Sequence, residues 1–170
     1  DGRVVSLALV GATLYVGGEF TQAGSGAGSA MTTPRQNVAA FAVADGALLA
    51  TTGLAADGVV TTLAASGATI FAGGDFATFG AQARQRLAAY DTQSDSVTAW
   101  APGADAPVRA IVPAGGGGSI FVGGASANAG GATRAFLAEI DTTTGLATAW
   151  DPGANDLVAA LALVGDTLYV

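Results

Sequence analysis

The sequence predicts an all-β protein made of repeated four-stranded units, and three observations support that prediction. An apolar stretch followed by two glycines begins at Leu14, Ile70 and Ile120, and its first residues return at Leu168. Each copy lies among short runs of β-branched and aromatic residues that are bounded by turn residues. No segment sustains the 3.6-residue apolar periodicity of a helix. Four short strands in a repeat of about 50 residues are typical of a β-propeller blade.

We therefore interpret residues 1–170 as one β-propeller region, a fragment with three complete four-stranded blades and the first two strands of a fourth. The blades are expected at about 4–58, 59–107 and 108–156, with 157–170 beginning another. The third strand of each complete blade is expected at 37–43, 84–90 and 134–140, and the fourth strand at 47–52, 97–100 and 146–150. Propellers use about four to eight blades, so we expect the rest of the ring to lie outside this chain.

Composition excludes several classes of function. The chain has no Cys and no His, and all six of its basic residues are Arg. It therefore lacks thiolates, disulfides and the commonest general base and metal ligand. A net charge of −7 disfavours nucleic acid and anionic membrane surfaces. No apolar run reaches the roughly 18 residues needed for membrane insertion, and the acidic, Cys-free composition fits a secreted protein.

The repeat resembles two kinds of known propeller repeat. The glycine pair, followed by Tyr90 and Trp100, resembles kelch repeats. A closer resemblance is to the bacterial delta-sixty repeat, which reads apolar-Tyr-Val-Gly-Gly-acid-Phe, then Arg-x-x-Leu-Ala, Asp-x-x-Thr-Gly and Trp-x-Pro. The matching positions here are Leu14 to Phe20, Arg84 with Leu87 and Ala88, Asp141 to Gly145, and Trp150. The resemblance implies an extracellular or cell-surface propeller and implies no particular activity.

Charged residues recur at fixed positions of the repeat. They are Glu19 and Asp75 after the glycine pairs, and Arg35, Arg84 and Arg134 near the expected start of the third strands. A catalytic pair occurs once, whereas a structural pair recurs in every unit, so we expect a structural role. Each Arg should form an ion pair within its unit or bind backbone carbonyls. Ala125 replaces the acid in the third unit, so Arg134 should use carbonyls, Glu139 or a neighbouring unit.

The remaining candidate residues also favour structural roles. Trp100 and Trp150 could stack on sugars, but their repeated position before Ala-Pro or Asp-Pro favours packing between blades. The aspartates that could suggest Ca²⁺ are Asp91, Asp95, Asp141, Asp151 and Asp156, and they match ordinary turn chemistry better. We therefore assign no catalytic residue, no cofactor and no metal ligand.

Two functions from different classes remain open. The first is a non-catalytic extracellular scaffold or binding propeller that presents loops to a protein, a polysaccharide or neighbouring copies. The alternative is a fragment of a carboxylate-based carbohydrate-active enzyme, a lyase or a glycosidase. Unique, clustered Asp, Glu or Tyr side chains in the central channel would favour the enzyme.

One loop is the candidate partner-binding element. Unit one inserts seven residues, because Glu19 and Arg35 are 16 positions apart whereas Asp75 and Arg84 are 9 apart. Longer loops on a rigid scaffold often carry binding, although a Gly/Ser-rich insertion is also tolerated as a flexible one. The candidate contact residues are Ser25, Met31, Thr32 and Thr33.

Overall fold

A computed structural model describes residues 2–24 and 33–170, and the prediction of an all-β chain is confirmed there, since these residues contain no helix. No membrane-spanning helix is therefore present among them. In chain order the strands are β1 (Arg3–Val10), β2 (Thr13–Glu19), β3 (Gln22–Ala23), β4 (Thr33–Pro34), β5 (Val38–Ala42), β6 (Val59–Ser66), β7 (Thr69–Asp75), β8 (Thr78–Phe79), β9 (Gln82–Ala83), β10 (Leu87–Asp91), β11 (Ser96–Val97), β12 (Val108–Pro113), β13 (Ser119–Gly124), β14 (Asn128–Ala129), β15 (Ala132–Thr133), β16 (Leu137–Asp141), β17 (Ala162–Val164) and β18 (Thr167–Tyr169).

Four antiparallel sheets follow one another along the described part of the chain. Sheet I is β1-β2-β5, sheet II is β6-β7-β10-β11, sheet III is β12-β13-β16 and sheet IV is β17-β18. Neighbouring strands follow sequence order, so each sheet is a meander. Three two-stranded hairpins, β3-β4, β8-β9 and β14-β15, lie between the second and third strands of sheets I, II and III. These short hairpins were not predicted, because two-residue strands have no detectable periodicity.

The predicted fourth strands at 47–52, 97–100 and 146–150 are much shorter than expected. Sheet II has only the two-residue β11, while sheets I and III have the single bridges Phe41↔Leu48 and Ile140↔Ala147. The Thr98 carbonyl, just beyond β11, accepts a hydrogen bond from the Arg84 side chain at 2.6 Å. The Thr98 N–H still donates to the Ala89 carbonyl at 2.8 Å, so the backbone pairing ends at Thr98 and the Arg84 side chain binds the carbonyl that is left there.

The third strands begin later than the sequence predicts. The residue directly before each of these strands adopts a left-handed backbone conformation. These residues are Asn37, Arg86 and Phe136, with φ of 62°, 64° and 63°. Such conformations are uncommon for residues other than glycine. The pattern of apolar residues does not report this local turn, so the start of each strand was placed too early.

The first glycine of each pair forms a contact surface for the next sheet. A Cβ added at Gly73 would lie 2.6 Å from Val108 Cγ1 and 3.0 Å from Ile111 Cδ1. The same relation holds elsewhere, with Gly17 against Val60 at 2.8 Å and Gly123 against Val158 at 2.5 Å. Any larger side chain would push these valines away, so the glycine lets successive sheets approach closely.

The second glycine of each pair lies against the first strand of its own sheet. An added Cβ would lie 2.0 Å from the Val59 carbonyl oxygen at Gly74, and 2.0 Å from that of Arg3 at Gly18. The Gly74 N–H also donates to the carbonyl of the left-handed Arg86, at 3.1 Å. The two glycines are therefore required for two different close approaches.

Among the described residues, two apolar cores lie between successive sheets. One contains Val38, Leu63 and Tyr90 from sheets I and II, and the other contains Trp100 and Ile111 from sheets II and III. Hydrogen bonds also cross between sheets, because the Leu63 N–H donates to Ser6 Oγ at 2.7 Å. Each sheet is thus stabilised by its neighbours, as in other repeat architectures.

We predict that Leu63→Ala destabilises the protein by about 2–5 kcal/mol, because it removes a side chain buried between two sheets. Leu7→Ala is the matched control at the same repeat position and should change stability by about 0.5 kcal/mol or less. Leu63 is 6% exposed and Leu7 is 59% exposed. Urea denaturation measures both changes, and equal losses of stability would contradict this packing scheme.

Candidate functional site

The first strands converge on a shared cavity of about 450 Å³, which we call the first-strand cavity. Its lining residues are Arg3, Val5, Val59, Thr61, Arg109, Leu157 and Ala159. They come from β1, β6, β12 and the segment before β17, so all four units contribute. The lining contains no Asp, Glu or Tyr side chain.

A β-bulge directs one residue of β1, of β6 and of β12 into this cavity. The pairing register shifts between Val4 and Ser6 and again between Val60 and Thr62, with a third shift in β12 that leaves Arg109 unpaired. The extra residue of a bulge points differently from its neighbours. The bulge residues Val5, Thr61 and Arg109, with Ala159 at the same repeat position, therefore share the cavity.

The polar side chains of the cavity differ in whether they already have a hydrogen-bond or ion-pair partner within the protein. Thr61 Oγ1 donates to the Val108 carbonyl at 2.5 Å, which joins sheets II and III. Arg3 Nη2 lies 3.4 Å from Glu19 Oε2 in a largely exposed ion pair. Within the described ranges, the Arg109 side chain has no hydrogen-bond or ion-pair partner. Arg109 is therefore the cavity group that remains free to contact a ligand.

The three repeated arginines bind backbone carbonyls in the same way. Each Nη1 donates to the carbonyl of the preceding residue, and each Nη2 donates to a carbonyl 14 positions later. The second acceptors are Leu49 for Arg35, Thr98 for Arg84 and Thr148 for Arg134. Of the two interactions expected from the sequence, the structure shows the binding of backbone carbonyls. Because the same contacts recur in three units, these arginines have a structural role.

The repeated acids pair with other arginines. Glu19 pairs with Arg3, and Asp75 Oδ1 lies 3.4 Å from Nε of Arg86, so neither acid contacts Arg35 or Arg84. The expected ion pair between the repeated acid and the repeated Arg is therefore wrong. The spacing of the acid and the Arg in the sequence does not report that the Arg side chain points toward the sheet edge.

Arg134 pairs with an acid that was not predicted as its partner. Its Nη1 lies 3.5 Å from Oδ2 of Asp151, in addition to its two carbonyl contacts. Glu139 instead accepts hydrogen bonds from the hydroxyls of Ser119 and Thr148, at 2.5 and 2.7 Å. Both carboxylates thus support the edge of sheet III.

The two tryptophans pack against aromatic neighbours. Trp100 and Phe71 meet edge-to-face at 5.2 Å between ring centroids, and Trp150 and Phe121 do so at 5.0 Å. Trp100 Nε1 also donates to the Asp141 carbonyl of sheet III at 2.9 Å. No equivalent bond from the Trp150 indole occurs in the part of the chain that the structure describes. The buried Trp100 therefore joins sheets II and III, as packing between units requires.

Aspartates at the start of sheets II and III hold the inserted hairpins in place. Asp57 Oδ1 accepts from the N–H groups of Ala77 and Thr78 at 2.8 and 2.9 Å. Asp105 Oδ1 does the same with Ala127 and Asn128, at 2.9 and 3.1 Å. The hydrogen bond from the Thr78 backbone does most to lower the pKa of Asp57, and the one from Asn128 does most for the pKa of Asp105.

Asp91 and Asp141 stabilise turns, whereas Asp95 contacts a residue of the preceding unit. Asp91 and Asp141 accept hydrogen bonds from N–H groups two and three residues later, which lower the pKa of each carboxyl. Asp95 accepts from the Tyr90 hydroxyl and from Thr52. Burial raises the pKa of Tyr90, and the Asp95 contact adds to this effect. Burial also opposes ionisation of Asp95, but these hydrogen bonds outweigh it and lower its pKa.

The candidate loop is only partly described. Ser25, Met31 and Thr32 lie outside the described residues. Thr33 belongs to β4 and pairs with Ala23 of β3, so the described base of the loop is a hairpin. The equivalent hairpins β8-β9 and β14-β15 lie next to Asp57 and Asp105, so these elements share one end of the sheets.

Arg109 was not predicted as a site residue from the sequence. The signal was present, because Val5, Thr61 and Ala159 occupy the same repeat position and only the third unit has a charge there. The bulge that directs this position into the cavity depends on strand register, which the repeat pattern alone does not reveal.

Comparison with known proteins supports the fold alone. No family model matches the sequence, and no curated protein matches it. The crystal structure of the computationally designed Ika4 protein is similar, with a TM-score of 0.64 and 14% identity over 99% of this chain and 84% of that chain. The designed Ika8 protein gives a TM-score of 0.60 at 14% identity over 97% of this chain and 41% of that one.

We predict that Trp100→Phe costs about 1 kcal/mol more stability than Trp150→Phe. Both variants keep an aromatic ring near its partner, but only the first loses an indole hydrogen bond that joins two sheets. Chemical denaturation of the two variants provides the comparison. Equal destabilisation would mean that the Asp141 contact contributes nothing.

We also predict that Asp57 and Asp105 make stability depend on pH. Their lowered pKa values mean that the stability they contribute is present above the ordinary Asp pKa of 3.8 and is lost as the pH falls below it. A variant with both Asp57→Asn and Asp105→Asn should therefore lose less stability than wild type between about pH 5 and about pH 3.

The control for this measurement is Asp166→Asn, an exposed turn residue. It should follow the wild-type pH dependence in urea denaturation. If the double variant also follows the wild-type curve, the two hairpin contacts do not carry the effect.

Proposed function

We propose that the four sheets are successive blades of a β-propeller and that the protein is a non-catalytic scaffold or binding module. The meander order of each sheet, the contacts between sheets in sequence, and the first-strand cavity shared by all four units support this arrangement. In a propeller, the innermost strands surround a central channel. The first-strand cavity has the position that such a channel would occupy.

The absence of carboxylates from the first-strand cavity is the observation that most favours a non-catalytic function. Carboxylate-based glycoside chemistry needs two acids on either side of the bond that is cleaved. The cavity lining offers two arginines and no acid. Elsewhere, the carboxylates of Asp57, Asp105 and Glu139 already hold backbone or hydroxyl groups. A lyase or glycosidase remains the alternative, with less support.

The end of the sheets that carries the hairpins is the proposed binding surface. Asp57 and Asp105 fix two of these hairpins to rigid sheets, which would hold the adjoining loops ready for a partner. The hairpin of sheet I carries the insertion with Ser25, Met31 and Thr32, outside the described residues. A polysaccharide, a protein or a neighbouring copy is the proposed partner, in the extracellular or cell-surface setting that the delta-sixty resemblance implies.

The experiment measures retention and cleavage together on a panel of immobilised neutral and acidic polysaccharides. We expect wild-type protein to be retained by at least one polymer without generating new reducing ends or unsaturated sugars. Deleting residues 25–32 should weaken retention at least about tenfold while circular dichroism stays unchanged. The matched control replaces residues 115–118, the turn at the opposite end of sheet III, by Asn-Gly and should retain binding.

The outcomes separate the two functions. Release of products in proportion to protein concentration would establish the enzyme and overturn the proposal. Retention that survives deletion of residues 25–32 would exclude the loop as the binding element. Retention that is lost equally in the control variant would show that loop shortening acts through the fold.

A further inference from the structure

We propose that the first-strand cavity binds a small organic carboxylate, with Arg109 as the group that contacts its charge. This site is distinct from the loop surface at the end of the sheets, and it would take a ligand of a different chemical class. The cavity volume of about 450 Å³ lies within the range typical of small-molecule sites.

The distribution of arginine contacts singles out Arg109. Arg35, Arg84 and Arg134 bind carbonyls at the sheet edges. Arg86 donates to the Ala104 carbonyl at 3.0 Å and lies beside an aspartate. Arg3 pairs with the exposed Glu19. The side chain of Arg109 has no such partner within residues 2–24 and 33–170.

Arg109 is also the place where the repeat departs from its own pattern. Val5, Thr61 and Ala159 are uncharged at the equivalent position, whereas the structural arginines recur in three units. A group that maintains the fold is expected in every unit, and a group that binds a ligand is needed once. The bulge in β12 directs this single charge into the cavity, and bulges are common beside functional sites.

The backbone around Arg109 is held firmly, as ligand binding requires. The carbonyl of Val108, the preceding residue, accepts the 2.5 Å hydrogen bond from Thr61 Oγ1. Val108 itself is fully buried against Gly73. The guanidinium is therefore carried by a fixed backbone and is not used by the protein itself.

The other lining residues indicate the class of ligand. Arg3 adds a second positive charge, and the lining includes no acid although the chain has thirteen. Val5, Val59, Leu157 and Ala159 supply apolar surface. A guanidinium binds a carboxylate through paired hydrogen bonds, and apolar walls favour a ligand with an apolar body. Benzoate combines these two features and serves as the probe.

The test is a titration of the ¹⁵N-labelled full chain with benzoate, followed by NMR. We expect saturable shifts that include Arg109 and its cavity neighbours, and binding at least about tenfold weaker for the uncharged isostere benzamide. Arg109→Gln should weaken benzoate binding by about tenfold or more, and Arg109→Lys should restore part of it. Because the Arg109 side chain is exposed and unpaired, the thermal midpoint should not change.

Arg86→Gln provides the matched control, since it removes the same charge outside the cavity. It should leave benzoate affinity within about twofold of wild type. Equal affinity for benzamide, unchanged affinity in Arg109→Gln, an equal loss in Arg86→Gln, or no saturation at benzoate concentrations on the order of 10 mM would each overturn the proposal.

Discussion

Close approach at the glycine pairs is the constraint on which the rest of the structure depends. The first glycine lets a valine and a leucine or isoleucine of the next sheet pack directly on the backbone. The second lets the first strand of the same sheet bring its carbonyl against the second strand. A Cβ at either position would meet neighbouring atoms at 2.8 Å or less in all three complete pairs. The glycine pair thus permits the close contact between two strands of one sheet and also the close packing of that sheet on the next.

The cavity follows from the same geometry. The valine that packs on the preceding sheet is followed directly by the bulge residue, so Val108 points into the core and Arg109 into the first-strand cavity. Packing residues and cavity residues are therefore neighbours in sequence, and the repeat fixes the first while leaving the second variable. Such an arrangement lets one unit acquire a ligand-binding group without disturbing its sheet.

The sequence predicted the sheets better than it predicted their edges. The strands β2, β7 and β13 follow from runs of apolar residues whose burial between sheets is dictated by the repeat. The late starts of the third strands follow left-handed residues such as Phe136, and the short fourth strands end beside an Arg side chain that binds a carbonyl. Neither effect leaves a periodic signal. Predicting the Arg109 site would have required an alignment of the units and also the position of the β-bulge in β12.

A double-mutant cycle between Gly73 and Val108 tests the central constraint most directly. Gly73→Ala should cost about 1–3 kcal/mol, because the new methyl group would lie 2.6 Å from Val108 Cγ1. Gly115→Ala is the control, since nothing lies within 4 Å of a Cβ there. In a Val108→Ala background the same Gly73→Ala change should cost less, as measured by urea denaturation, and the remaining cost comes from Thr62 Cγ2, which lies 2.8 Å from the same Cβ position. An equal cost in both backgrounds would contradict the view that this glycine sets the distance between the sheets.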